Sequence, residues 1–218
     1  MKKNFGVVFG LPCWGMGAAV LALFAFTSAS RATVIVNNLA DATVSSAETG
    51  WSYGQVFTMG SSSSGNLGTL ILDLYSGSTG SATVYLYNAS GGAPTGSGVA
   101  IGTVSGTGNQ TIALGSHPAL AASTSYAIII HDNVSSDVRW NYTANAASGG
   151  TGSLPGGIVF SSDGSSGWGS TANEYMQMEV DVVPVPEVPM TGMFMGIGAL
   201  AIAAGRTLRR RLCAARSA

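Results

Sequence analysis

The chain has only two cysteines, Cys13 and Cys213, and the stretch from Thr33 to Val183 has none. That excludes a disulfide framework for the central part, and with it a zinc site built on thiolates. Basic side chains are as scarce there. Of nine lysines and arginines in 218 residues, only Arg139 falls between Thr33 and Val183. Against it stand nine carboxylates, Asp41, Glu48, Asp73, Asp132, Asp137, Asp163, Glu174, Glu179 and Asp181, so the central part carries −8 while the whole chain carries −1. A body of that sign repels phosphate backbones, which excludes nucleic acid as its partner.

Catalytic side chains are thin as well. The only histidines are His117 and His131. No Gly-x-Ser-x-Gly sits on a strand-to-helix elbow to make a hydrolase nucleophile, and no spacing singles out a glycosidase pair among the carboxylates. His117, before Pro118, reads as a solvated loop residue; His131, at the end of an apolar run, reads as structural. Asp132-Asn133 with Asp137, and Asp163-Gly164, offer oxygens suited to calcium, but the repeat spacing of a calcium loop is absent and turn chemistry accounts for them. The expectation is a non-enzymatic protein without cofactor or metal.

What is present begins at the ends. Lys2 and Lys3, the apolar stretch Val7 to Phe26 and the small residues Thr27-Ser28-Ala29-Ser30-Arg31-Ala32 are the three parts of a secretory signal over residues 1–32. Ser30-x-Ala32 directs signal peptidase to cut after Ala32, with Ser28-x-Ser30 as a second site; the alternative is an uncleaved anchor. At the other end, residues 184–189 are Pro-Val-Pro-Glu-Val-Pro, a stiff extended hinge. A charge-free run from Val188 to Ala204 follows, then a basic tail over 206–218 with Arg209, Arg210 and Arg211 in a row. As a helix over 190–205, this run reaches the short limit for crossing a bilayer, about 26 Å for the whole apolar stretch. Arginines after the span stay in the cytoplasm and leave the acidic body outside.

The hinge Val185-Pro186-Glu187, the short apolar helix and the arginine cluster together resemble the PEP-CTERM sorting signal of Gram-negative bacteria, with Val188 standing where that family's core has proline. The resemblance covers about 30 residues. It implies an exosortase-type processing enzyme as partner and an inner-membrane intermediate. The destination it implies is the cell surface or the extracellular matrix.

Residues 33–183 form the cargo. In Tyr175-Met176-Gln177-Met178-Glu179-Val180-Asp181-Val182 the apolar side chains share one face and Gln177, Glu179 and Asp181 the other, the period of a half-buried antiparallel strand. Leu67 to Tyr75 presents Leu70, Leu72 and Leu74 to one side, and Ala82 to Tyr87 presents Val84 and Leu86; Asn88 to Pro94 then breaks the chain. Further short candidates are Thr33–Val36, Gln55–Thr58, Val99–Ser105, Gln110–Leu114, Ser125–His131, Val138–Tyr142 and Ile158–Ser161. About ten strands joined by Gly, Ser and Asn predict an all-β domain, an antiparallel sandwich of jelly-roll type.

Within it, Gly54-Gln55-Val56-Phe57-Thr58-Met59-Gly60 followed by Leu67 to Leu72, Val84 to Tyr87 with Gly91-Gly92-Ala93-Pro94, and Ser123-Thr124-Ser125-Tyr126 are similar to the choice-of-anchor R domains. Gly167-Trp168 adds to the likeness. That family is named for its sorting tails, so the resemblance implies a surface location and no particular activity. One binding option comes from the residues themselves. Trp51, Trp140 and Trp168 are aromatic candidates for stacking on exopolysaccharide, against the alternative that they fill the core.

Overall fold

Alternation sets the strands where one sheet face is buried, and continuous apolar runs set them where both are. The computed structural model describes residues 31–47, 50–131, 137–146, 149–163 and 167–185. The expected signal segment up to Ser30 and the expected transmembrane helix over 190–205 lie outside these residues.

Among the described residues the chain is all-β, with fifteen strands and no helix. They are β1 (Thr33–Asn37), β2 (Ser45–Ser46), β3 (Ser52–Thr58), β4 (Gly65–Leu74) and β5 (Ser81–Ser90). Next come β6 (Ala93–Ser105), β7 (Gly108–Thr111), β8 (Ala113–Leu114), β9 (Ala119–Leu120) and β10 (Ser125–His131). The last five are β11 (Asn141–Thr143), β12 (Ile158–Ser161), β13 (Gly169–Ser170), β14 (Tyr175–Met176) and β15 (Met178–Val183). Three antiparallel sheets result. One runs β1-β15-β4-β7 with β9 also on β4, the second runs β13-β12-β3-β10-β5-β6-β8, and the small third runs β14-β11-β2.

One principal core draws on all of them. Leu70, Leu72 and Leu74 of β4, Val180 and Val182 of β15, Val84 and Leu86 of β5, Phe57 of β3 and Ile128 and Ile130 of β10 belong to a single buried cluster, together with Trp140. The sheet containing β3 and β10 is covered on its other face as well, where Val56, Ala127, Ile129, Val159 and Tyr87 form a second cluster. This explains why Ala127 to Ile130 is an unbroken apolar run: a strand buried on both faces has no polar side to show.

The structure revises the expected strands at four places. The candidate Val138–Tyr142 gives way to β11, preceded only by isolated bridges at Asp137 and Trp140. Asn88 to Pro94 is no break. Strands β5 and β6 pair through Ser90 and Ala93 across Gly91 and Gly92, whose φ values of 61° and 81° are those of a two-residue mirror-image turn that only glycine enters freely. The segment 110–114 is not one strand but two. β7 pairs with β4 and β8 with β6, so the chain passes from one sheet to another at the buried Ile112. The segment 175–182 likewise splits at Gln177, with β14 in the small sheet and β15 in the first.

Gln177 was expected to share an exposed face with Glu179 and Asp181; instead it is buried. Its amide donates to the Asp41 carbonyl at 2.7 Å and accepts from Thr43 Oγ1 at 2.6 Å, which replaces the water it gives up. Two more buried amides bracket the same break. Asn38 Nδ2 donates to the Met176 carbonyl at 3.0 Å, and its Oδ1 accepts from the Met178 N–H at 2.7 Å. Gln55 Oε1 accepts from the Met176 N–H at 3.1 Å. Side chains thus supply the ladder bonds that the strand loses where it changes sheet. Replacing Asn38 by alanine leaves one buried donor and one buried acceptor unpaired, at about 1–3 kcal/mol each. We expect the Asn38→Ala urea midpoint to fall accordingly, with the m-value unchanged.

Candidate functional site

The residues that open a cleft come from two sheets. Ser45, Ser46 and Ala47, at and just after β2, and Tyr142 of β11 form one wall. Their positions are fixed by the β2–β11 pairing of Ser45 with Tyr142 and by the Ala47 N–H donating to the Trp140 carbonyl at 2.9 Å. Tyr53 of β3 with Ile158 and Phe160 of β12 form the other wall, and Trp51, Thr171 and Glu174 complete the lining. The segment carrying Thr171 and Glu174 is held by two backbone bonds of 2.9 Å, from Thr171 N–H to the Ile158 carbonyl and from Ile158 N–H to the Glu174 carbonyl. The cleft has a volume of about 440 Å³, within the range of small-molecule sites, about 300–1,000 Å³.

Its aromatic corner is built from Trp51 and Phe160. Phe160 pairs across the sheet with Gly169, where an added Cβ would come 2.7 Å from the Phe160 ring, so the ring lies directly on the glycine backbone. Trp51 meets Phe160 edge-on, centroids 5.9 Å apart and planes at 82°. Trp51 is nevertheless 43% exposed.

A second aromatic group lies on the outer face of the seven-stranded sheet. Tyr87 Oη is 3.0 Å from His131 Nε2, the two rings are stacked at 6.1 Å, and Tyr85 packs on His131 at 4.4 Å. Trp168 meets Tyr87 edge-on at 6.1 Å. Burial holds the His131 pKa below its ordinary value and raises that of Tyr87, to which the neighbouring Tyr85 adds. Burial thus favours the neutral form of His131, in surroundings that suit a packed imidazole.

The three tryptophans named from sequence are not brought together. Trp140 is fully buried and its indole N–H donates to the Gln177 carbonyl at 2.7 Å, so it offers no ring to a ligand and belongs to the core. Trp51 packs on Phe160, whereas Trp168 packs with the cluster of Val159. Adjacent residues of a strand point to opposite faces, so these two rings lie on opposite sides of the sheet. Sequence reading missed Phe160, Tyr142 and Glu174 as companions of Trp51. Nothing in their spacing announces it, because they meet only through the pairing of β12 with β3 and of β11 with β2.

Of the sorting and processing residues, Ala32 is exposed and directly precedes β1, and Val185 is 57% exposed two residues after β15. Pro186, Glu187, Arg209, Arg210 and Arg211 lie outside the described residues. His117 is exposed but anchored, its Nδ1–H donating to the Leu67 carbonyl at 2.7 Å. Asp137 is held by Arg139 through contacts of 2.7 and 3.0 Å, which lower its pKa, and Asp163 accepts from Ser161 Oγ at 2.8 Å. Among the described residues no group of three His, Cys, Asp or Glu side chains is placed to hold a metal.

Two carboxylates of β15 carry a pH signature. Burial raises the pKa of Glu179, the Asp181 charge adds to it, and a hydrogen bond from Asn37 Nδ2 opposes it. Burial also raises the Asp181 pKa, and its Oδ1 has no hydrogen-bond partner among the described residues. A pKa higher in the folded state means that the folded chain holds its proton longer, so this contribution to stability is present in acid and is lost as pH rises through the folded value. Glu179→Gln should therefore be more stable than the parent at pH 7. The gap should close below the ordinary carboxyl range, about pH 4, where both side chains are neutral; urea midpoints at the two pH values test it.

No family model, curated protein or solved structure matches the chain.

Proposed function

We propose that the chain is an exported, non-enzymatic surface or extracellular-matrix protein of a Gram-negative bacterium. In this reading residues 33–183 are an antiparallel sandwich of jelly-roll type, similar to a choice-of-anchor domain. Signal peptidase removes 1–32 after Ala32, and 184–218 is a PEP-CTERM-like signal that holds the chain in the inner membrane until an exosortase-type enzyme processes it.

The observation that carries this reading is the pairing of the first strand with the last. Thr33 lies opposite Val182 in the antiparallel β1–β15 pair, so the chain enters and leaves the domain at one end of one sheet. Thr33 and Val182 thus lie at one edge of the domain, the edge at which the expected signal segment and the expected sorting tail join it. The lysine-free, acidic body supports an extracellular polymer setting over an intracellular one that handles nucleic acid.

Fractionation tests it. The full chain should distribute to the membrane and surface fractions, and a chain ending after Val185 should appear in the periplasm or medium. An identical distribution for the two overturns the sorting role of the tail.

A further inference from the structure

We propose that the cleft at Trp51 binds a neutral glycan, one or a few sugar rings of an uncharged polysaccharide. The inference goes beyond the surface-presentation reading and does not depend on how the chain reaches its destination.

At this cleft water is left to cover an aromatic ring. Trp51 is a large apolar side chain left partly exposed at the mouth of a cleft, in perpendicular contact with Phe160. Phe160 in turn is backed by the Gly169 backbone. Two rings at a right angle make a preformed corner, which lowers the ordering cost when it is filled. A pyranose has the matching shape, with a flat C–H face to stack on one ring and an edge to meet the other.

Most of the remaining lining side chains are polar. Ser45, Ser46, Thr171, Tyr142 and Glu174 surround this corner, and hydroxyl and carboxylate oxygens are the partners that the ring hydroxyls of a sugar need. An apolar peptide segment would desolvate these groups without pairing them.

Charge selects among sugars. No lysine or arginine lines the cleft, and Glu174 puts a carboxylate at it. Among the described residues the cations are Arg31 and Arg139, and Arg139 is already engaged by Asp137 at 2.7 Å. In a central part of net charge −8, uronic-acid polymers and phosphorylated glycans meet repulsion with nothing to offset it. Neutral sugars meet none.

Affinity gel electrophoresis of the full chain in a sugar-free detergent, lauryldimethylamine oxide, tests the site. The gels contain hydroxyethylcellulose, galactomannan or dextran as neutral probes and alginate as the anionic one. Retardation by at least one neutral polymer and none by alginate is expected. Trp51→Ala should weaken binding at least about tenfold, as loss of a stacked aromatic does. Trp168→Ala, on the other face of the sheet, should bind as the parent does. Ser46→Trp, which fills the cleft from the rim, should abolish retention with an unchanged unfolding temperature and so separates occupancy from folding. Absence of retardation by all three neutral polymers, preference for alginate, or undiminished binding by both Trp51→Ala and Ser46→Trp overturns the proposal.

Discussion

Trp140→Ala is expected to lose about 3–5 kcal/mol, the usual range for removing a fully buried large aromatic, and to lower the unfolding temperature by about 10–15 °C. Three independent attachments converge on this residue. Its ring is fully buried within the principal cluster, its indole N–H donates to the Gln177 carbonyl at 2.7 Å, and its own carbonyl accepts from Ala47 N–H at 2.9 Å. It also forms an isolated bridge to Leu74, the last residue of β4. Leu74 belongs to the first sheet, Ala47 follows a strand of the small sheet, and Gln177 is the point where the chain leaves the small sheet for the first. Removing the indole thus opens a cavity where two sheets are joined and withdraws one of the two donors to the Gln177 carbonyl, the other being Asp73 N–H at 3.1 Å. Trp140→Phe keeps most of the volume but loses the hydrogen bond, so it should fall between the parent and Trp140→Ala. Equal losses for the two variants would show that the bond to Gln177 dominates and packing contributes little. Urea unfolding of the three chains gives the comparison.

The all-β character was legible because period two is a local property. Leu70, Leu72 and Leu74 are buried as their alternation requires, and so are Met176, Met178, Val180 and Val182. The changes of sheet were not legible, because a strand that moves between sheets keeps the same alternation on both sides of the move. Ile112 and Gln177 differ in nothing local from their neighbours; what distinguishes them is which strand lies opposite, β4 or β6 in one case and β11 or β4 in the other. Short strands were lost for a related reason. Ser45–Ser46 and Gly169–Ser170 are two-residue elements without an apolar pattern, and they exist because β11 and β12 offer them an edge. Both help to build the surroundings of the Trp51 cleft. For that reason Trp51 could be named from sequence, whereas the wall opposite it could not. Trp140 and Trp51 are equally conspicuous as letters, and only their depth separates a core residue from an exposed one.

A chain that ends after Asn173 is expected not to fold at all, whereas one that ends after Val185 should keep its full stability. The last strand is central in its sheet: β15 lies between β1 and β4 and is hydrogen-bonded to both. Ending at Asn173 strips β14 and β15 and removes Met176, Met178, Val180 and Val182 from the core, all of them fully or almost fully buried. Each such side chain contributes about 1.5–3 kcal/mol by burial alone. Together they consume most or all of the roughly 5–15 kcal/mol that a domain has to lose. The loss also leaves β1 without a neighbour in its sheet and exposes the β4 edge from Asn66 to Leu72. All of these contacts are made by residues up to Val183, and Val183 and Val185 are themselves exposed. Circular dichroism and limited proteolysis of the two truncated chains decide the matter: a folded product ending at Asn173 would contradict the central role of β15. The pairing of β1 with β15 joins residues almost the whole domain apart, so the first strand has no partner in its sheet until the last is in place.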